Sequence, residues 1–169
     1  MTISFIIPSI GRGTLTRTLG SINKWLGDEI LIEYDIPPSR MWGNPQRNKG
    51  IKKATCDYLA FIDDDDYYVE GHRFMMEEAI NENPDKPILF QQQYPDGHII
   101  WNEKKVIPGN ISSNMILVPN KPEMFSPWKD GRNMADFIFV NTWKWKEIAW
   151  IEKVLVLTGN NDGGAKHHV

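Results

Sequence analysis

The fold of this chain is decided by the stretch Tyr58-Leu59-Ala60-Phe61-Ile62-Asp63-Asp64-Asp65-Asp66-Tyr67-Tyr68. Its apolar first half is rich in β-forming residues, which predicts a buried strand. Four consecutive aspartates follow at once, and like charges beside a sheet repel one another and lose solvation. A divalent cation is the simplest compensation, because carboxylate oxygens are hard ligands that suit Mg²⁺ or Mn²⁺. The alternative is a solvated acidic turn after a core strand.

The composition fits one globular domain. The chain has 169 residues, of which 41% are hydrophobic and 24% charged, and its formal net charge is −3. This balance supplies no broad basic field, so we do not expect nucleic-acid binding. Cys56 is the single cysteine, which excludes a disulfide framework and a cysteine-based metal site.

The chain shows no sign of export or membrane insertion. Its first residues, Met1 to Pro8, are too few and too uncharged for a signal peptide. No segment approaches the roughly 20 apolar residues of a membrane span. We therefore expect a cytoplasmic protein without a membrane span.

Strands and helices alternate in the first half of the chain. The predicted strands are Ile3–Pro8, Glu29–Tyr34 and Tyr58–Ile62. The predicted helices are one that starts at Thr14 and carries Leu15, Leu19, Ile22 and Leu26 on one face, and one at Gln46–Ala54. This order predicts a parallel sheet with right-handed crossovers. The strand ends then place Ser9, Asp35 and the aspartates along one rim.

The second half is predicted to be mixed. The predicted helices are Glu70–Asn81 and Asp136–Trp145. The predicted strands are Ile88–Gln92, His98–Trp101, Asn114–Val118 and Val154–Leu157. A Gly- and Asn-rich segment, Gly159–Gly164, predicts a flexible link to a mobile tail at Lys166–Val169.

In this order, these pieces resemble the GT-A glycosyltransferases, and among them the family 2-like nucleotide-sugar transferases. The resemblance rests on Phe5-Ile6-Ile7-Pro8-Ser9-Ile10-Gly11-Arg12, Ile30–Asp35, Arg47-Asn48-Lys49-Gly50-Ile51, Phe61–Asp66 and Met134-Ala135-Asp136-Phe137. The aspartate run stands where the family has its Asp-x-Asp motif. Ala135 departs from the family, which usually has Glu before the presumed base.

The resemblance implies an α/β fold with a mostly parallel sheet, helices on both faces and a short acceptor side. It implies a single domain over residues 1–169. Residues 1–68 would form the nucleotide-binding half, residues 69–158 the acceptor half and residues 159–169 a flexible tail.

The resemblance also implies a nucleotide-diphosphate sugar as donor, with a UDP-sugar preferred. The acceptor is an unknown hydroxyl, on a carbohydrate or another molecule. The residues expected to bind the donor are Pro8, Ser9, Arg12, Asp35, Arg47, Asp63 and Asp64. Asp35 has an alternative role as a turn cap, and Arg12 as an ordinary surface arginine.

The resemblance also implies the metal ligands and the catalytic base. Asp65, assisted by Asp63, is the expected ligand of Mn²⁺ or Mg²⁺, and His167 is a candidate third ligand from the tail. Asp136 is the expected base of an inverting displacement; its alternative role is a helix N-cap, which Asp often provides. The alternative interpretation of Asp64 and Asp66 is that they are solvent-exposed or turn residues beside the site.

Other interpretations stay open. A sugar nucleotidyltransferase is possible because Gly11-Arg12-Gly13-Thr14-Leu15 resembles its Gly-rich loop, although the basic residues expected after that loop are misplaced. A non-catalytic nucleotide- or sugar-binding module is a further alternative. One or two tryptophans are expected to stack on a sugar, although tryptophan is also ordinary core filling; those in the second half are Trp101, Trp128, Trp143, Trp145 and Trp150.

Overall fold

The computed structural model describes residues 1–129 and 134–159. The strands are β1 Ile3–Ser9, β2 Glu29–Tyr34, β3 Tyr58–Phe61, β4 Tyr67–Tyr68, β5 Ile88–Gln93, β6 Ile99–Ile100, β7 Ile116–Pro119 and β8 Ala149–Leu157. The helices are α1 Leu15–Ser21, α2 Asn44–Lys53, α3 His72–Glu82 and α4 Ala135–Asn141. Short 3₁₀ turns lie at Ser113–Met115 and Pro122–Met124.

The strands form one sheet in the order β2-β1-β3-β7-β5-β8-β4, with β6 paired to β5. β1 runs parallel to β2 and to β3, and β5 runs parallel to β8. The antiparallel pairs involve β7, β6 and β4. Both predicted halves therefore contribute strands to the same sheet, while their separate roles stay a prediction.

Helices cover both faces of the sheet. The side chains of β1 alternate between the two faces, so each face has apolar residues against which helices pack. Ile3, Phe5 and Ile7 point to one face, where they share a core with Met76 of α3. Ile6 points to the other face and shares a second core with α2 and α4. All seven residues of β1 are buried, as expected for a strand at the centre of a sheet. The predicted α/β class is confirmed.

Two glycines bring α2 close to β1. Gly50 packs its backbone on Ile6, where a Cβ atom would collide with the isoleucine side chain. Gly43 precedes the helix at φ 72°, and a Cβ atom there would lie 2.7 Å from Cβ of Pro8. Only glycine fits this contact and this backbone conformation. The close approach carries α2 to the carboxyl end of β1, where the aspartates lie.

Several predicted elements end or begin elsewhere; the last strand, predicted at Val154–Leu157, begins at Ala149. The first helix stops at Ser21, because Asp28 accepts the Trp25 backbone N–H at 2.8 Å and turns the chain toward β2. The prediction that Leu26 lies on the apolar face of this helix is therefore wrong, and Leu26 is fully exposed. The helix predicted to reach Trp145 ends at Asn141, where the Thr142 hydroxyl donates to the Phe139 carbonyl at 2.7 Å.

The strand predicted from Asn114 begins two residues later. Residues Ser113–Met115 form a 3₁₀ turn, and the Ser112 side chain accepts the Asn114 backbone N–H. The turn directs the Asn114 side chain toward the aspartates rather than into a strand pair. The predicted tail Lys166–Val169, including His167, lies outside the described residues. None of the described helices is both long and apolar enough to cross a membrane.

His72 is a buried titratable group at the start of α3. Its ring stacks on Tyr68 with centroids 4.6 Å apart, and Nδ1 lies 3.2 Å from the Val69 carbonyl oxygen. Burial lowers the pKa of His72 to about 4, because the charged ring would lose its solvation.

We expect His72 to destabilise the fold as the pH falls from 6.5 toward 4. In that window the unfolded chain binds a proton that the native protein excludes, which removes about 1.4 kcal/mol per pH unit at most. Urea unfolding at pH 7 and at pH 5 should show a smaller pH effect in His72→Phe than in the parent. An equal effect in both proteins would contradict the assignment.

Candidate active site

The acidic turn, residues 63–66, follows β3 at the carboxyl end of the parallel strands. Asp66 donates its backbone N–H to the Asp63 carbonyl at 3.2 Å, which closes the turn. Burial alternates along it: Asp64 and Asp66 are buried, whereas Asp63 and Asp65 keep part of their surface exposed. The four carboxylates therefore do not share one environment.

Asp64 holds the loop between β1 and α1. Its Oδ2 accepts the Ser9 hydroxyl at 2.7 Å and the Ile10 backbone N–H at 3.1 Å. The Ser9 oxygen in turn accepts the Gly11 backbone N–H at 3.0 Å. Asp64 is a turn group, as one interpretation predicted, but it is not solvated. The predicted contacts of Asp64 and Ser9 with a donor stay predictions.

Arg12 joins the second and third carboxylates of the turn. Its Nη1 lies 3.0 Å from Oδ1 of Asp64 and 2.5 Å from Oδ2 of Asp65. Burial raises the pKa of Asp65, and the neighbouring Asp63 adds to the rise while Arg12 opposes it. A cation at Asp65 would therefore relieve an electrostatic cost that Arg12 offsets only in part.

Asn114 and Gly159 hold Asp66. The Asn114 carboxamide accepts the Asp63 backbone N–H at 2.9 Å and donates to Oδ2 of Asp66. Gly159 donates its N–H to Oδ1 of Asp66 at 2.9 Å. Burial raises the pKa of Asp66 to about 8, and the Asp63 charge adds to the rise. Sequence reasoning missed Asn114; the polar run 112–114 ahead of an apolar strand was its signal.

Arg47 reaches the first carboxylate from α2. It is buried, and its Nη2 donates to Oδ1 of Asp63 and to the Ser113 hydroxyl at 3.0 Å. Its Nη1 donates to the Trp42 carbonyl at 2.7 Å. Arg47 therefore joins α2 to the acidic turn, and its predicted contact with the donor stays a prediction.

Asn48, which follows Arg47 in α2, connects this helix to the segment that packs against α4. Asn48 donates Nδ2 to the Trp128 carbonyl at 3.0 Å and accepts the Trp128 backbone N–H at 2.9 Å. Trp128 stacks on Phe139 of α4 with centroids 4.1 Å apart. This chain of contacts positions α4, and hence Asp136, relative to α2.

Asp136 lies at a cavity of about 220 Å³. The cavity is lined by Trp42, Asn44, Arg47, Asp63, Ser113, Ala135 and Asp136. Burial raises the pKa of Asp136 to about 6, although the Arg47 charge opposes the rise. The N-cap of α4 is Met134, and Asp136 follows inside the first turn. The N-cap interpretation of Asp136 is therefore wrong.

Asp35 lies at the rim but does not line this cavity. Its backbone N–H donates to the Ser9 carbonyl at 2.8 Å. Its Oδ2 accepts the Ser39 backbone N–H at 2.9 Å and the Ser39 hydroxyl at 2.8 Å. Asp35 therefore caps a turn in this structure, and its predicted role in nucleoside binding stays a prediction.

The turn offers part of a magnesium or manganese site. Mg²⁺ on nucleotides is usually held by one or two carboxylates, with phosphates and water completing the shell, and Asp63 and Asp65 fit that number. Among the described residues, no three His, Cys, Asp or Glu side chains are grouped to hold a metal. His167, the predicted third ligand, lies outside those residues.

A family model described as Glycosyl transferase family 2 matches residues 38–129, from the loop before α2 to the segment after β7. No curated protein matches the chain. The fold resembles S. aureus TarS 1–349 in complex with UDP-GlcNAc, with a TM-score of 0.73 at 13% identity over 97% of this chain and 60% of that one. TarS 1–349 in complex with UDP gives a TM-score of 0.63 at 12% identity over 95% and 61%.

A longer S. aureus TarS structure gives a TM-score of 0.68 at 12% identity and covers 95% of this chain. The chain spans 37% of that structure and about 60% of the shorter ones. At such low identity the likeness shows the fold alone. It confirms the predicted GT-A fold, with its helices on both faces of the sheet.

We expect Asn114→Asp to destabilise the protein by about 3 kcal/mol or more, because it places a carboxylate against buried Asp66 and removes a donor. Asn23→Asp makes the same charge change at an exposed position and should stay within about 0.5 kcal/mol of the parent. Denaturant unfolding at pH 9, above the pKa of about 8 of Asp66, measures both variants, because Asp66 is then ionised. Equal losses would show that Asn114 does not hold the turn.

Proposed function

The chain belongs to glycosyl transferase family 2, and from this premise we propose that it transfers a sugar from a nucleotide-diphosphate donor to an acceptor hydroxyl. The observation that carries the proposal is the cavity that Asp63 and Asp136 line together with Arg47. We propose UDP as the nucleotide, because the similar TarS structures are complexes with UDP and UDP-GlcNAc. The acceptor and the cytoplasmic location stay predictions.

The donor would lie across the carboxyl ends of β1, β2 and β3, where ligands bind in open α/β sheets. Pro8, Ser9 and Asp35 stand at the ends of β1 and β2 and would contact the nucleoside. Asp64 would act on the nucleotide through the loop that it holds. Arg12, at the same loop, would leave its carboxylate partners to meet the diphosphate.

Asp65 and Asp63 would hold Mn²⁺ or Mg²⁺ at the diphosphate. The ion would supply Lewis-acid stabilisation of the leaving group. Asp65 suits this role because its exposed side reaches solvent and its only ion-pair partner among the described residues, Arg12, is itself 35% exposed. Asp63 is more constrained, because it is paired with buried Arg47.

Asp136 would accept the proton of the acceptor hydroxyl. A general base works best when its pKa lies near the working pH, and the pKa of about 6 meets that condition. Arg47 lies close enough to lower that pKa, so the base and the donor-side carboxylate Asp63 are coupled through one arginine. One base and an in-line attack give inversion at the anomeric carbon.

We expect Asp65→Asn to lose most Mn²⁺-dependent UDP binding in calorimetry, because the substitution removes a charge that the ion needs. Asp85→Asn is the control: Asp85 is exposed at φ 61°, a conformation that asparagine tolerates well. The metal role is wrong if Asp65→Asn binds UDP like the parent, or if excess EDTA leaves binding unchanged.

We expect Asp136→Asn to keep UDP affinity and to lose transfer by about a hundredfold or more, because a general base acts mainly in the transition state. Turnover of a UDP-sugar on an acceptor that the parent uses measures the loss, and NMR of the product reads its anomeric configuration. Full activity in Asp136→Asn would instead favour a structural role. Retention of configuration would exclude the single inverting displacement.

A further inference from the structure

Trp42 stands at the mouth of the cavity that holds Asp63 and Asp136. It lines that cavity, and 53% of the residue is exposed. By contrast, Trp101 and Trp128 are buried in the core. An exposed indole beside two carboxylates and an arginine is the usual composition of a ligand pocket, in which apolar surface surrounds a few polar groups.

The backbone holds Trp42 in an unfavourable conformation. Its φ of 56° lies in the left-handed region, which bulky side chains rarely adopt. The Trp42 carbonyl accepts a hydrogen bond from buried Arg47 at 2.7 Å. Gly43 behind it is packed on Pro8. The strain is therefore maintained by the core, and strained residues of this kind cluster at ligand-binding sites.

The residues that line the cavity indicate which part of a donor would lie beside Trp42. Asp35, at the nucleoside end of the proposed donor site, does not line it, whereas Asp63 and Asp136 do. A group between the diphosphate carboxylates and the base is the sugar that is transferred. A volume of about 220 Å³ leaves room for one sugar ring.

We propose that Trp42 is the platform for the transferred sugar, and that its indole stacks on the apolar C–H face of the sugar ring. The platform adds affinity for the sugar and leaves the affinity for the nucleotide alone. This inference rests on the proposed function, because it needs a nucleotide-sugar donor. It assigns donor selectivity to a residue in the loop before α2.

Calorimetry with Mn²⁺ tests the inference, using UDP, UDP-GlcNAc, UDP-glucose and UDP-galactose as probes. We expect the parent to bind at least one of these sugars more tightly than UDP. Trp42→Ala should weaken the binding of that UDP-sugar about tenfold and change the affinity for UDP less than twofold. Trp42→Phe should keep most of the sugar affinity, and Phe74→Ala, which removes another exposed aromatic ring, should change neither.

Several results would overturn the platform. Equal weakening of UDP and of the UDP-sugar in Trp42→Ala would make Trp42 a support for the nucleotide or its loop. Unchanged binding of both, with a raised KM for the acceptor, would move the platform to the acceptor. A parent that binds UDP and every UDP-sugar equally would also overturn it. A parent that binds none of the probes would instead refute the proposed function itself.

Discussion

The constraint on which the structure depends is the position of four adjacent aspartates, two buried and two half-buried, at the end of a central strand. β3 lies between β1 and β7 in the sheet, and the turn that follows it is partly shielded from water. Each aspartate must find its own compensation there. Asp63 takes a buried arginine, Asp64 and Asp65 share a second one, and Asp66 takes amide donors.

These bonds also assemble the site. Asp64 fixes the loop after β1, Asp63 fixes α2 through Arg47, and Asp66 fixes the end of β8 through Gly159. Segments far apart in sequence are thus joined at one point, by contacts that bridge both halves of the chain. The groups that stabilise the fold and those that would bind a ligand are neighbours in a single turn.

Alternating burial separates the two tasks. The side chains of Asp63 and Asp65 are 36% and 20% exposed, whereas that of Asp64 is 5% exposed. Asp64 and Asp66 are buried and accept several hydrogen bonds, so both hold the fold together. Asp63 and Asp65 have one arginine each and part of their surface exposed, and they are the two carboxylates to which we assign the ion in the proposed function.

The sequence by itself determined the order of elements and the place of the motifs. β2 begins and ends where the predicted strand Glu29–Tyr34 does, and the family resemblance pointed to Arg47 and Asp136, which both line the cavity beside Asp63. Local patterns carry such information because hydrophobic periodicity follows the backbone repeat. The extent of the first helix was misjudged, since a side-chain bond from Asp28 ended it early.

Only the tertiary structure decided how the carboxylates are divided and which tryptophan faces the cavity. Asn114 and Asp66 are 48 positions apart, and no local pattern links them. Trp42 was passed over because nothing near it in the sequence shows a strained, half-exposed indole. Such features arise when distant segments close around a site, where packing between them overrides local preference.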